Sequence, residues 1–351
     1  MRRHFYAACF LSLPIMKKIF LFLLLGICLN SIAQNNETLH QTAKTFMRQA
    51  DYANAVLVLN RALQQEPNNL GMIKDLALSH YFKRENTIAL DVIKPTLDRE
   101  DADDQCFQIA GNIYKALLLP KDCEKMYKKG IKKFPESGPL YSEYGELLWA
   151  QQNYDAIKLW ETGIKVDASY SKNYYNAARF YYLSKDKIWG ILYGEIFLNM
   201  EPQSSSSPEL KGILLDSYKK LYAEANLKEI ASKEKNEFAK AFLEAMDRQS
   251  GQAAYGINTA SLTMIRTRFI LDWFNSNANK FPYRLFDYQQ QLLKDGLFEA
   301  YNQWIFAPAD NLNAYQNWVD THSAEHKEFF NFQKGRLFKI PPAQYYQDKY
   351  F

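Results

Sequence analysis

Residues 50–69 read ADYANAVLVLNRALQQEPNN, and whether this stretch stands alone or belongs to a series decides the fold. Ala55, Leu59, Ala62 and Leu63 form a stripe at helical spacing that stops at EPNN (66–69). Upstream, Leu39, Ala43, Phe46 and Met47 form a second stripe, with QAD (49–51) as the polar turn between the two. The stretch is the second half of a helical pair.

The pair recurs. Steps of 33 or 34 residues lead from Ala55 to Ala89, Cys123, Ala156 and Gly190, all small. A second small register runs Ala43, Ala77, Gly111, Gly145, Ala178, and a mostly bulky one runs Phe46, His80, Tyr114, Leu148, Tyr181. Pro67, Asp101, Pro135, Ala168 and Pro202 close the units. Small residues recur because helices that cross closely must lack bulk at the contact. A pair this short cannot bury its own apolar face, so it must stack on neighbours.

The pattern resembles the tetratricopeptide repeat (TPR), a 34-residue helix–turn–helix unit. QADYANAVLVLNRALQQEPNN (49–69) and LLPKDCEKMYKKGIKKFPES (118–137) match its second helix and closing proline. Five units cover residues 36–204; the fourth lacks one residue near Asn153–Tyr154, and the second lacks the closing proline. The expected fold is all-α: a TPR α-solenoid followed by a helical C-terminal domain over 205–351.

The resemblance implies that the first helices line a concave groove for a protein or peptide. Its positions fall on His40 and Lys44, then Lys74, Leu78 and Tyr81, then Gln108, Asn112 and Lys115. The fourth unit contributes Ser142, Glu146 and Trp149, and the fifth Tyr175, Arg179 and Tyr182. Trp, Tyr and Arg are the types that dominate binding energy at such faces. The carboxylate clamp of some relatives is not matched, because Leu78 and Glu143 stand where it needs polar and basic groups.

The formal net charge of +4 arises in the first 33 residues, which hold Arg2, Arg3, Lys17, Lys18 and no acid; 39 basic and 39 acidic residues remain. That balance lacks the basic footprint of nucleic-acid binding. MKKIFLFLLLGICLNSIAQ, from Met16, reads as a signal peptide ending at Ser31-Ile32-Ala33, with Met16 a candidate start. The apolar run Ile19–Leu29 is short of the roughly 20 residues a spanning helix needs. Ile27 before Cys28 makes a poor lipobox. The expectation is an exported protein, periplasmic or outer-membrane associated, not membrane-spanning once the leader is removed. Cys106 and Cys123 read as free, packed thiols at small positions of the pattern.

Beyond PQSSSSPEL (202–210) the period fades. Leu210–Tyr222 could begin a sixth, degenerate unit, and Asn226–Gln249 reads as one long helix. TASLTMIRTRFILDWF (259–274) reads as a helix with Leu262, Ile265, Phe269 and Trp273 on one face. From Tyr255 onward 22 of 97 residues are aromatic, against 15% of the chain, which points to an aromatic-packed helical core. A resemblance to TPR-based outer-membrane glycan-binding proteins offers a second reading, sugar capture, with Trp304 or Trp318 as platforms.

HSAEH (322–326) has the H-x-x-E-H spacing of a zinc peptidase helix. The alternative is a polar helix start capped by Thr321 or Ser323, and only 25 residues follow to supply a third ligand. No metal, cofactor or catalysis is expected. The expected function is an exported scaffold that binds a protein or peptide in the cell envelope.

Overall fold

The structure, a computed structural model, describes residues 37–184, 186–223, 226–254 and 256–347. The leader expected over 1–33, with Met16, Cys28 and the expected cleavage site, lies outside the described residues. Among those described there is no strand; every regular element is helical. The chain forms two compact units, Met1–Met126 and Tyr127–Phe351, which divide inside one helix.

The first unit holds α1 (37–48), α2 (Tyr52–Gln65), α3 (Leu70–Phe82), α4 (Asn86–Ile93) and α5 (Asp104–Ala116). The division falls within α6 (Pro120–Lys133). Helix starts follow capping chemistry: the side chains of Asp51, Asn69 and Asp103 accept the amides of Asn54, Met72 and Cys106. α4 is the short one because Pro95 follows it, and the chain tightens into a 3-10 turn over Lys94–Asp98. Ala43, Val56, Leu59, Ala62, Met72 and Leu76 close a core across the first three helices.

The turns inside the first four repeats are built the same way. Ala50, Arg84, Leu118 and Gln152 take φ of 57°, 64°, 56° and 59°, the left-handed region, at intervals of one repeat. The next amide then reaches back five residues: Asp51 to Phe46, Glu85 to His80, Leu119 to Tyr114 and Asn153 to Leu148, at 2.9–3.1 Å. This is the Schellman closure, and its acceptors are the bulky register seen in the sequence.

The second unit continues with α7 (Gly138–Ala150), α8 (Ala156–Val166), α9 (Ser171–Leu183), α10 (Lys187–Met200) and α11 (Ser207–Ala223). α12 (Leu227–Lys233), α13 (Glu237–Asp247), α14 (Ser250–Ala253) and α15 (Thr259–Ser276) follow. α16 (Arg284–Lys294), α17 (Phe298–Asp310), α18 (Leu312–Thr321) and α19 (Ser323–Lys334) complete it. The single long helix expected over Asn226–Gln249 is two helices. Asn236 breaks it: its Oδ1 caps Ala239 at 2.9 Å while its Nδ2 donates to the Tyr346 carbonyl at 2.7 Å.

The small registers are buried throughout, and at Gly145 the indole of Trp160 takes the place a side chain would fill. Cys106 and Cys123 are buried and form no disulfide; the Cys123 thiol lies 3.6 Å from the Gly111 carbonyl oxygen. The late aromatics are core: Phe238, Phe269, Trp273, Phe281, Tyr283 and Phe286 pack edge to face and in parallel at 4.9–6.3 Å. At their side lies a buried polar centre. Arg266 of α15 pairs with Glu195 of α10 and also bonds Asn302, while Gln289 and Tyr301 donate to the same Glu195 oxygen at 2.6 and 2.7 Å.

Candidate functional site

The first-helix residues fall into three groups. His40 and Ser142 are buried and do not line a surface. The His40 imidazole bonds Asp75 of α3 at 2.7 Å, and the Ser142 hydroxyl accepts from Asn176 of α9 at 3.3 Å. The resemblance put both on the groove, whereas each joins one first helix to the next.

A second group is committed in the same way at the surface. The Lys74 ammonium holds Asp103 and Gln105 at 2.5 and 2.8 Å. Burial acts to raise the Asp103 pKa, but the bonds from Lys74 and Cys106 outweigh it and hold it below the usual range. Glu146 accepts from Asn176 at 3.1 Å. Tyr175 donates to Glu209 of α11 at 2.6 Å, and Arg179 pairs with that carboxylate at 3.0 Å while its guanidinium lies 5.3 Å from the Tyr175 ring centre. Tyr182 donates to Asp216 at 2.7 Å, and Lys220 sits 4.1 Å above its ring. Bonds from Lys220 and Tyr182 lower the Asp216 pKa. Tyr175, Arg179 and Tyr182 therefore bind α9 to α11 as well as facing outward.

The third group is less engaged. Lys44, Gln108 and Asn112 are half-buried, with no side-chain hydrogen bond among the described residues; Tyr81 packs edge-on to Phe82 at 5.4 Å. Lys115 is half-buried beside them. Trp149 is half-buried too, and it borders a sizeable opening.

That opening is a cleft of about 600 Å³ lined by Trp149, Gln152, Tyr154, Phe180, Leu183 and Ser184. The Trp149 ring stands edge-on to Tyr154 and Phe180 at 5.9 and 5.8 Å, with Trp160 behind it at 5.9 Å. Tyr154 and Leu183 are 66% and 69% exposed, so the apolar walls face water. α7 delivers Trp149 in its last turn, the left-handed Gln152 swings the chain round, and α9 brings Phe180 and Leu183 opposite. Sequence reasoning found Trp149 and missed the rest. The signal was there: the fourth unit departs from the period near Asn153–Tyr154, and there the link between α7 and α8 holds five residues, 151–155, where the first three repeats have three, and carries the exposed Tyr154.

His322 lies at the α18–α19 junction, before the first residue of α19, its ring stacked on Trp318 at 4.9 Å and 5°. His326 packs on Phe330 at 4.7 Å. Among the described residues no group of three or more His, Cys, Asp or Glu is placed to hold a metal ion. Trp304 is buried with the Lys211 ammonium 4.4 Å above it, so it is core and no open platform. Burial lowers the Lys211 pKa to about 8. Trp318 is half-buried, with one face covered by His322 and its indole N–H bonding Glu299 at 3.3 Å. No described helix is long and apolar enough to cross a membrane.

No family model matches the chain, and no curated protein does. Among solved structures, the chain is similar to a thermophilic TPR protein from Thermus thermophilus, at 14% identity and TM-score 0.42, over 52% of this chain and 98% of the other. It is similar to a TPR protein from Parabacteroides merdae, at 16% identity and TM-score 0.41, over 74% and 98%. A third, YrrB, described as a TPR protein with an unusual peptide-binding site, has 14% identity and TM-score 0.35, over 47% and 86%. By its own recurring helical pairs, the first four turned by a left-handed residue one repeat from the last, the chain is an all-α protein of repeated helix pairs over its described residues.

Proposed function

We propose that this protein is an exported scaffold that binds a partner protein, anchoring an apolar side chain of the partner in the Trp149 cleft. The cleft carries the reading. Two exposed apolar residues and two aromatic edges around an open volume give a place where an inserted Leu, Met or Phe loses water on several sides. Gln152 and Ser184 at its rim offer polar groups to an extended backbone. Export to the envelope is supported by the leader-like sequence over residues 1–33.

The test is affinity capture from envelope fractions, with protein beginning at Gln34 as bait, beside a Tyr154→Ser, Leu183→Ser variant. Both side chains point mainly to water, so the variant's melting temperature should match the parent's. The captured partner should bind the variant at least about tenfold more weakly. Equal capture by parent and variant would remove the cleft as the site. Native-host protein found outside the envelope with an uncleaved leader would remove the export half of the proposal.

A further inference from the structure

Glu161, on α8, is fully buried and has no cation beside it among the described residues. Three phenols surround it instead. Tyr181 donates to one oxygen at 2.5 Å, and Tyr193 and Tyr345 donate to the other at 2.9 and 2.7 Å. The first two come from the neighbouring helices α9 and α10. The third comes from a segment with almost no regular structure.

After α19 the chain runs through residues 335–347 with only a short 3-10 turn, Pro342–Gln344. Phe338 and Ile340 are buried, and Ile340–Tyr346 lie against Ile164, Trp189, Tyr193 and Tyr283, leaving a residual space of only about 10 Å³. Polar and ring contacts add to this packing. The Gln344 side-chain oxygen accepts the Arg284 amide at 2.5 Å, Gln347 donates to the Tyr181 hydroxyl at 3.1 Å, and Tyr346 stacks on Phe238 at 4.5 Å.

We propose that residues 337–347 are a strap whose docking is governed by the proton on Glu161: docked while the carboxyl is neutral, released as it ionises. The inference is independent of the Trp149 cleft. An ionised carboxylate without a cation is costly to bury, and three phenol donors only partly replace water. Lifting Tyr345 away admits water to the carboxylate. The titratable groups facing Glu161 are Tyr174 and Tyr181 of α9, Asp186 before α10, Tyr193 of α10, Tyr283 before α16 and Tyr345 of the strap. Tyr174, Tyr193 and Tyr283 are raised by burial first, with the Glu161 charge adding to it, so they stay neutral donors. Burial pushes Glu161 up to about 7, against the pull of the three phenols and with a small upward push from Asp186.

The sign follows from linkage. A group whose pKa is raised in the docked state contributes fully below its ordinary value of 4.5, and that contribution is lost as pH rises through about 7. Each tenfold change that docking makes in the Glu161 acid constant is a roughly tenfold change in the docking constant above that pH.

Hydrogen exchange read by mass spectrometry at pH 5.5 and 7.5, corrected for intrinsic rates, tests this on the full chain. Protection of the 337–347 peptide should fall several-fold at the higher pH, while a peptide from α15 does not change. Glu161→Gln, which keeps an acceptor but cannot ionise, should abolish the difference. Should that variant not fold, Tyr345→Phe serves: it should lower strap protection at both pH values and widen their difference, because the lost phenol had held the docked carboxyl's pKa down. Equal protection of the parent strap at both pH values, an undiminished difference in Glu161→Gln, or a diminished one in Tyr345→Phe would overturn the proposal.

Discussion

Gly145 and Trp160 show how little freedom a single position of this fold retains. A β-carbon at 145 would lie 2.3 Å from the Trp160 indole nitrogen, and that ring cannot swing aside because its N–H donates to the Ser142 carbonyl at 3.2 Å. Gly145→Ala should therefore destabilise the protein by about 1–3 kcal/mol, read as a lower thermal midpoint, even though alanine is the better helix former. An unchanged midpoint would mean the two helices can part without cost. Positions like this were legible in the sequence, because close crossing leaves a record of small residues at a fixed period. Arg266 was not. It lies on the same face as Leu262, Ile265, Phe269 and Trp273, yet an arginine in a helix reads as a solvated charge until its partners, 36 to 71 residues distant, are known.

At the scale of the element, the left-handed residue is the device that the first four turns share. Leu118 takes φ of 56° while 85% exposed, so its side chain gives little packing in return for a conformation that disfavours a β-carbon. Leu118→Gly should raise stability by about 0.5–1 kcal/mol, the reverse of glycine's usual effect, visible as a small rise in thermal midpoint. A fall would show that Leu118 packs more than its exposure implies. The helices of the five repeats were legible because their stripes and turns repeat. The break between α12 and α13 was not, since no Pro or Gly marks it and Asn236 makes it partly by a bond to Tyr346, 110 residues later. The site was half legible for a related reason. First-helix positions can be counted from the period, but whether Tyr175 or Tyr182 faces a partner or the next helix depends on Glu209 and Asp216, which lie outside the unit that predicts them.

On the largest scale that the contacts define, the second compact unit is organised round the Glu195–Arg266 pair. It draws together α10, the last regular repeat helix, with α15, α16 and α17. Arg266→Met should cost about 3–5 kcal/mol, because it strands a buried carboxylate whose remaining donors are neutral. Replacing both partners, as Glu195→Leu with Arg266→Met, should recover much of that loss. Chemical denaturation of the two variants checks it; a double variant no more stable than the single one would mean the pair is held by packing that neither apolar side chain restores. That repeats four and five share one unit with the aromatic C-terminal helices was not visible from the period, which ends near residue 204 without saying what its last helix packs against.

The Glu161 cage also imposes an order on the making of the molecule. Polar links between successive first helices span only 29 to 35 residues, so each can close soon after its repeat leaves the ribosome. The bonds from Tyr345 to Glu161 and from Gln347 to Tyr181 span 184 and 166. Throughout synthesis of the second unit, Glu161 waits hydrated and ionised at neutral pH. Its tyrosine shell is completed only when Tyr345 and Gln347 arrive, so a nascent chain stalled before them would hold its repeats and lack its seal.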